Sequence, residues 1–243
     1  MESVQQICTL AYRRSGWQAV LPFWRQALQQ IAYLRYLPKL YADGDAWPLV
    51  LFLHGSDERG SNLDDLKREG LTKLAHEGRE FPFILIAPQC PPRRRWDAEL
   101  LGALLDRVES ECRVDRNRVY VTGMSMGGSG TWRLAARYPE RFAAIVPICG
   151  RSGQTDARLL KHLPAWVFHG ANDRVVPVRE SIRMVSALRS HGSEVRFTLY
   201  PHADHDCWTE TYADPQLYDW LLSIRRGRHA TEGVPDLGDP RSC

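Results

Sequence analysis

The sequence predicts a single α/β domain in which a mostly parallel β-sheet is covered by helices on both faces. Short, nearly continuous apolar runs alternate with amphipathic stretches from residue 32 onward. This pattern is typical of strands that are buried on both faces and joined by helices. The 243 residues are 44% hydrophobic and 25% charged, and a chain of this length and composition can bury one sizeable core.

Six apolar runs are predicted to be strands. The last run alternates between apolar and polar residues more than the others, which predicts a position near the edge of the sheet. Helices are predicted where apolar residues recur on one face, at residues 100–108, 182–188 and 214–224, and Pro177 suits the first turn of the second helix. The six predicted strands are 47–53, 83–87, 119–122, 142–149, 166–168 and 195–200.

The chain is expected to divide into three parts, with the α/β domain at residues 31–225. Residues 1–30 form an N-terminal extension that is predicted to be helical, because several of its apolar residues recur at helical spacing. Residues 226–243 are rich in Gly, Pro and charge and are predicted to be disordered. The apolar residues of the predicted N-terminal helix are Phe23, Trp24, Ala27, Leu28 and Ile31.

The site is expected to be open. About 15 residues separate the predicted strand 142–149 from the next one. An ordinary crossover between parallel strands uses most of that length, so no room is left there for a lid domain.

The composition excludes several classes of partner. Lys and Arg number 32 against 29 for Asp and Glu, a formal net charge of +3, which is too small to indicate binding to nucleic acid. No apolar run approaches the roughly 20 residues of a membrane helix, and the first residues do not have the pattern of a secretory signal. We therefore expect a soluble, cytoplasmic protein, whose oligomeric state the composition does not predict.

The six cysteines indicate neither a metal site nor a cofactor. They are scattered along the chain, with no C-x-x-C pair and no spacing typical of zinc ligands. In a cytoplasmic protein such cysteines are expected to be reduced thiols, most of them buried.

The strongest local signal is the segment 123–127, which places Ser125 in the pattern G-x-S-x-G. A bare match to this pattern is weak. Here it follows a predicted strand and begins a helical stretch that ends at Arg137, which is the strand–turn–helix setting of a nucleophile elbow. The flanking glycines leave room for the strained turn that raises the serine hydroxyl above the sheet. Ser125 is therefore the predicted nucleophile.

Two loops supply candidates for the partners of this serine. A serine hydroxyl is a poor nucleophile until a base removes its proton. Asp173 follows the predicted strand 166–168, and His202 and His205 share the loop after the strand 195–200. The order Ser, Asp, His along the chain is the one expected on this type of sheet. Asp173 is the predicted orienting acid, and either histidine can be the base.

The same mechanism requires two N–H groups that stabilise the oxyanion of the tetrahedral intermediate. One is predicted to be the backbone N–H of Met126, which follows the nucleophile, and the other that of Ser56, in the loop after the strand 47–53. The hydroxyl of Ser56 can assist or can simply belong to a turn. His54 and His169 each precede a glycine at the end of a strand and are interpreted as structural.

These segments together resemble the phospholipase/carboxylesterase-like α/β hydrolases. The resemblance rests on residues 51–60, 87–91 and 123–142 and extends from about Tyr33 to Leu222. It is greatest to a compact branch called predicted peptidases, which is similar to feruloyl and polyhydroxybutyrate-type esterases. The resemblance implies an α/β-hydrolase fold and the hydrolysis of esters. Its terminal loop motif, Gly-x-x-His with a Trp shortly after, implies that His205 is the base and that Trp208 lies beside it, while His202 takes a place often held by glycine.

Three functions remain open on the sequence. The first is a carboxylic-ester hydrolase that acts on small or medium substrates through an acyl-enzyme. The second is a serine peptidase for short peptides, and the third is a non-catalytic ligand-binding protein of the same fold. Trp96 and Trp208 are candidate substrate contacts. The basic loop 93–95 either meets an anionic group of the substrate or is simply solvated.

Overall fold

The computed structural model describes residues 5–12, 29–44, 46–153 and 155–227, which form one eight-stranded sheet with helices packed against it. The strands are β1 (Gln5–Tyr12), β2 (Gln29–Tyr36), β3 (Trp47–Leu53), β4 (Ile84–Pro88), β5 (Val114–Met124), β6 (Ala144–Ile148), β7 (Ala165–Gly170) and β8 (Val195–Tyr200). They lie in the order β1-β2-β4-β3-β5-β6-β7-β8.

The sheet is mostly parallel, as predicted. Strands β4, β3, β5, β6, β7 and β8 pair in parallel, each with its neighbour. Strand β2 pairs antiparallel with both β4 and β1. The six strands predicted from the sequence are all present, and β8 lies at the edge of the sheet, where its alternating pattern placed it.

Helices cover both faces of the sheet, and the alternation of side chains along each strand divides the core in two. Strand β3 contributes Leu49, Leu51 and Leu53 to one cluster of buried residues and Val50 and Phe52 to the other, because successive side chains of a strand point to opposite faces. The helices are α1 (Gly70–His76), α2 (Ala98–Glu111), α3 (Met126–Arg137), α4 (Arg179–Ser190), α5 (Trp208–Ala213) and α6 (Pro215–Ser223). Residues of α2, α3 and α4 belong to the first cluster, and residues of α1, α5 and α6 to the second.

The N-terminal extension differs from its prediction where the structure describes it. Residues 5–12 form β1 instead of a helix, and Ile31 lies in β2. The two strands pair in one continuous register from Gln5 opposite Tyr36 to Tyr12 opposite Gln29. Cys8, Leu10 and Tyr12 alternate along β1 and pack against the core, and this period of two was the signal for a strand. The predicted helical residues 23–28 lie outside the described residues, as does the tail from residue 228.

Helix α4 differs from its prediction in two details. Ile182 was expected on the buried face, but it is 47% exposed, and Met184 packs inward with Val185 and Leu188. Pro177 lies before the helix, which begins at Arg179 after the N-cap residue Val178.

Replacing Leu188 by alanine is expected to lower the free energy of unfolding by about 2–5 kcal/mol. The Leu188 side chain is fully buried against the sheet, and truncation of a buried leucine loses its transfer free energy and leaves a cavity. Ile182→Ala on the same helix is the matched control, and we expect it to change the free energy by less than about 1 kcal/mol. Urea unfolding followed by circular dichroism measures both, and equal losses in the two variants would contradict this packing.

The described residues between β6 and β7 form loops and one short 3-10 turn, Ala157–Leu160, and no large lid is present there. The carboxyl ends of the parallel strands are therefore open on this side. Among the helices of the described residues, none is both long and apolar enough to cross a bilayer.

Candidate active site

The turn between β5 and α3 holds Ser125 in a strained conformation. Ser125 has φ 55° and ψ −113°, a region that residues with a side chain rarely adopt. The flanking glycines make this turn possible, because a Cβ on Gly127 would lie 1.8 Å from the carbonyl oxygen of Leu53, and a Cβ on Gly123 would lie 2.6 Å from the same oxygen. The Ser125 N–H donates to the carbonyl of Ile148 at 3.0 Å. The backbone thus presents the hydroxyl at the carboxyl end of the sheet.

Ser125, His205 and Asp173 form a continuous chain of hydrogen bonds. The Ser125 hydroxyl lies 2.9 Å from Nε2 of His205, and Nδ1 of His205 lies 2.7 Å from Oδ2 of Asp173. Because a carboxylate only accepts, Nδ1 of His205 donates to Asp173, and in the tautomer with its proton on Nδ1 the Nε2 atom accepts from the serine. His202 is exposed on the surface. The structure therefore brings His205, rather than His202, against the serine.

The Asp173 carboxylate has three further contacts besides the one with His205. Its Oδ1 accepts from the backbone N–H groups of Val175 and Val176, both at 2.8 Å. Its Oδ2 also lies 3.2 Å from Nε2 of His169, which is fully buried and bonded through Nδ1 to the hydroxyl of Ser181 at 2.7 Å. Burial lowers the pKa of His169, which favours the neutral ring. The interpretation of His169 as structural agrees with these contacts.

His54 holds the loop that carries Ser56. Its Nε2 accepts from the N–H of Cys90 at 2.9 Å, and its Nδ1 donates to the carbonyl of Gly55 at 2.6 Å. Burial lowers the pKa of His54 to about 4, which keeps the ring neutral and preserves both contacts. The indole N–H of Trp96 donates to the His54 carbonyl at 3.2 Å, and the two rings meet edge to face with their centroids 4.8 Å apart.

The two tryptophans predicted to contact substrate differ in position. Trp96 is 5% exposed and packs beneath His54, so it supports the loop instead of forming a wall of the site. Trp208 is half-buried, and its ring meets that of His205 edge to face at 5.3 Å between centroids. Its indole N–H donates to Glu69 at 3.1 Å. Trp208 therefore fixes one side of the histidine.

A cavity of about 260 Å³ adjoins Ser125, and Ser56 and Met126 both line it. Among the described residues, the backbone N–H groups of Ser56 and Met126 have no hydrogen-bond acceptor, so both are available to an oxyanion. The Ser56 hydroxyl donates to Asp57 at 3.0 Å. The other lining residues are Arg59, Arg95, Ser129, Arg133, Arg151, Val175 and Val176.

The four arginines of this cavity were largely missed by the sequence analysis. Only Arg95 belongs to the basic loop 93–95 that had been noticed, and Arg93 and Arg94 do not line the cavity. The other three are far apart in sequence, and the fold brings them to one place.

The residues around the serine include one group with the composition of a metal site. The ligand atoms of Cys149, Asp173 and His205 lie within 4.8 Å of one another. Burial raises the pKa of the Cys149 thiol well above its usual range, which disfavours the thiolate that binds a metal. His205 and Asp173 are already bonded to each other, so these three residues are part of the site described above.

Glu58 is a buried carboxyl in the loop after β3 that carries Ser56, and its burial predicts that stability depends on pH. Its side chain is 5% exposed, its Oε1 has no hydrogen-bond partner among the described residues, and burial raises its pKa to about 7. The folded state therefore binds this proton more tightly than the unfolded state does. Its stabilising effect is complete below the usual pKa of a glutamate and is lost as the pH rises through about 7.

Wild-type protein is expected to lose up to about 3 kcal/mol of stability relative to Glu58→Gln between pH 5 and pH 8. The glutamine keeps the shape of the side chain but cannot ionise. Urea unfolding of both proteins at several pH values measures the difference, with the exposed Glu77→Gln as the control. A difference that stays constant with pH would contradict the raised pKa.

The chain matches the profile of one protein family and is similar to several known proteins. The profile of the dienelactone hydrolase family matches residues 93–217, just over half of the chain. A bifunctional acetylxylan esterase/xylanase of Neocallimastix patriciarum is 27% identical over 136 residues, which are 53% of this chain and 20% of that protein. A poly(3-hydroxyoctanoate) depolymerase of Pseudomonas fluorescens is 27% identical over 195 residues, which are 66% of this chain and 68% of that protein.

A solved structure covers still more of the chain. The crystal structure of a thermostable esterase superposes with a TM-score of 0.72 at 29% identity, over 90% of this chain and 63% of that one. The chain thus spans only part of the length of several proteins that it resembles, and a fifth of the acetylxylan esterase/xylanase.

Proposed function

The chain belongs to the dienelactone hydrolase family of α/β hydrolases, and we propose that it hydrolyses carboxylic esters through an acyl-enzyme on Ser125. The observation that carries this proposal is the chain of hydrogen bonds from the Ser125 hydroxyl through His205 to Asp173, next to a cavity with two available backbone N–H groups. The names of the relatives support an ester substrate, since two of the three are called esterases.

In the first half of the proposed reaction, Ser125 Oγ attacks the ester carbonyl carbon while Nε2 of His205 takes the hydroxyl proton. The imidazolium that forms donates through Nδ1 to the Asp173 carboxylate, which stabilises its charge. The negative oxygen of the tetrahedral intermediate accepts from the N–H groups of Met126 and Ser56. Each such donor contributes about 10²–10³-fold to turnover in enzymes of this kind.

In the second half, the intermediate collapses and His205 returns the proton to the leaving alcohol, which leaves an acyl group on Ser125. A water molecule then attacks the acyl carbonyl, with His205 again as the base, and the acid is released. The open cleft gives water direct access to this ester. Ester cleavage also needs less protonation of the leaving group than amide cleavage does, and this favours an esterase over a peptidase.

The test compares matched ester and amide substrates of the wild-type protein. We expect the wild-type protein to hydrolyse 4-nitrophenyl butyrate and not to hydrolyse 4-nitrobutyranilide above the rate without enzyme. A kcat/KM for the anilide that approached the ester value would favour the peptidase. A folded protein that cleaves neither substrate would favour the non-catalytic ligand-binding protein.

A further inference from the structure

The cavity beside Ser125 is lined by an arginine cluster, which we define as Arg59, Arg95, Arg133 and Arg151. These residues come from four separate parts of the fold: the loop after β3, the loop after β4, helix α3 and the loop after β6. Their convergence is therefore a product of the tertiary structure and not of a basic run in the sequence. The remaining lining residues are polar or apolar, and no carboxylate lines this cavity among the described residues.

The charges of the arginine cluster are not neutralised by ion pairs within the described part of the chain. Elsewhere on the surface, Arg107 and Arg141 pair with carboxylates at 2.6–2.7 Å. In the cluster, Arg59 donates to the backbone carbonyl of Ser56 at 2.8 Å, and Arg151 donates to that of Val175 at 3.1 Å. A carbonyl orients a guanidinium but leaves its charge in place.

Two members of the cluster, Arg95 and Arg133, also repel each other. Arg133 keeps much of its surface in contact with solvent, and its pKa is lowered, chiefly by the partial loss of hydration and then by the like charge of Arg95. Asp97 offsets part of this effect, but its carboxylate also caps helix α2, where it accepts from the N–H groups of Glu99 and Leu100. An arrangement of like charges costs stability unless a ligand of opposite charge occupies it.

We propose that the arginine cluster selects esters that carry two negative charges, supplied by carboxylate or phosphate groups, and orients them for attack by Ser125. The inference rests on the proposed esterase function and names its substrate class. Guanidinium groups bind carboxylate and phosphate oxygens in bidentate pairs. One carboxylate can engage two of the four groups, and a second anionic group engages the others. A neutral ester leaves all four guanidinium groups to the solvent.

The experiment is a charge series of activated esters at constant, low ionic strength, since salt screens such interactions. The substrates are 4-nitrophenyl hexanoate (neutral), 4-nitrophenyl hemiadipate (one charge) and mono-4-nitrophenyl tricarballylate (two charges), with the rate without enzyme subtracted. We expect kcat/KM to rise about tenfold or more at each added charge, the scale of a charge-assisted hydrogen bond.

Variants identify the residues that carry the preference. Arg95→Gln and Arg133→Gln are expected to reduce the ratio of kcat/KM for the doubly charged ester to that for the neutral ester by about tenfold each. Arg94→Gln is the matched control, because Arg94 adjoins Arg95 but does not line the cavity, and we expect an unchanged ratio. Inhibition by inorganic phosphate, compared with inhibition by tricarballylate, distinguishes a phosphorylated substrate from a polycarboxylate.

The outcomes separate this inference from the proposed function. Efficient hydrolysis of the neutral ester with no gain at one or two charges overturns the inference and leaves the esterase function intact. A gain at the first charge only, or an equal loss of preference in Arg94→Gln, overturns the role assigned to the cluster. If no ester of any charge is hydrolysed by the folded protein, the esterase function itself is wrong.

Discussion

Replacing Ser125 by alanine is expected to lower kcat for the hydrolysis of 4-nitrophenyl butyrate by about 10⁴–10⁶-fold. In the proposed reaction the hydroxyl of Ser125 is the atom that attacks, and no other described hydroxyl is within hydrogen-bond distance of the His205 ring. Alanine keeps the Cβ and adds nothing to the strain of the turn at φ 55°. We therefore expect the variant to fold and to unfold at the same urea concentration as the wild-type protein. The measurement is steady-state turnover of both proteins.

Ser190→Ala controls for the loss of a serine hydroxyl elsewhere, since Ser190 is exposed at the end of α4 and, among the described residues, bonds only the backbone of its own helix. We expect this variant to keep wild-type turnover. A Ser125→Ala protein that is folded and retains more than about a tenth of the wild-type rate would exclude Ser125 as the nucleophile.

Replacing His205 by alanine is expected to lower kcat by a similar factor of about 10⁴–10⁶, because serine is not activated without its base. The prediction follows from the contact of Nε2 with the Ser125 hydroxyl at 2.9 Å. His202→Ala is the matched control. That residue lies three positions earlier in the same loop and is exposed, and we expect its loss to change kcat by less than about threefold. A larger effect at His202 than at His205 would reverse the assignment.

The double variant adds a second test of the same contact. Residues that act as one catalytic unit have effects that do not multiply. We expect Ser125→Ala combined with His205→Ala to be about as slow as either single variant. Losses that multiplied would mean that the two side chains contribute to the reaction independently.

The parallel core of the fold was predictable because its signals are local. Each buried strand, such as β3, is a continuous apolar run, and the nucleophile turn is marked by two glycines that the backbone requires. The pairing of β1 with β2 was missed for a physical reason. Strand β1 is an edge strand with no fully buried residue, and its pairing with β2 is a contact between residues far apart in sequence.

Some residues of the candidate site could be predicted from the sequence and others could not. Ser125, Asp173 and His205 follow strands in a fixed order, so the sequence carries their positions, although the spacing alone did not decide between His202 and His205. Trp96 was only a candidate substrate contact on the sequence. The hydrogen bond of its indole N–H to the His54 carbonyl turns it inward, and no sequence pattern indicates that contact.

The arginine cluster is the part of the site that could not be predicted from the sequence. Arg133 lies on the helix after the nucleophile, and Arg151 follows β6, so their proximity depends on how α3 packs against that strand. A net charge of +3 for the whole chain conceals this local concentration. Charged residues that are distant in sequence and adjacent in the fold can be recognised as a cluster only when the structure is known.

The most direct test of Ser125 as an activated nucleophile is covalent labelling with a fluorophosphonate. This reagent reacts with an activated serine in place of an ester. We expect one equivalent of label per chain, located by peptide mass spectrometry on Ser125, with labelling abolished in Ser125→Ala and strongly slowed in His205→Ala. Labelling of a different residue, or no labelling of the folded wild-type protein, would contradict a nucleophile activated by His205 and Asp173.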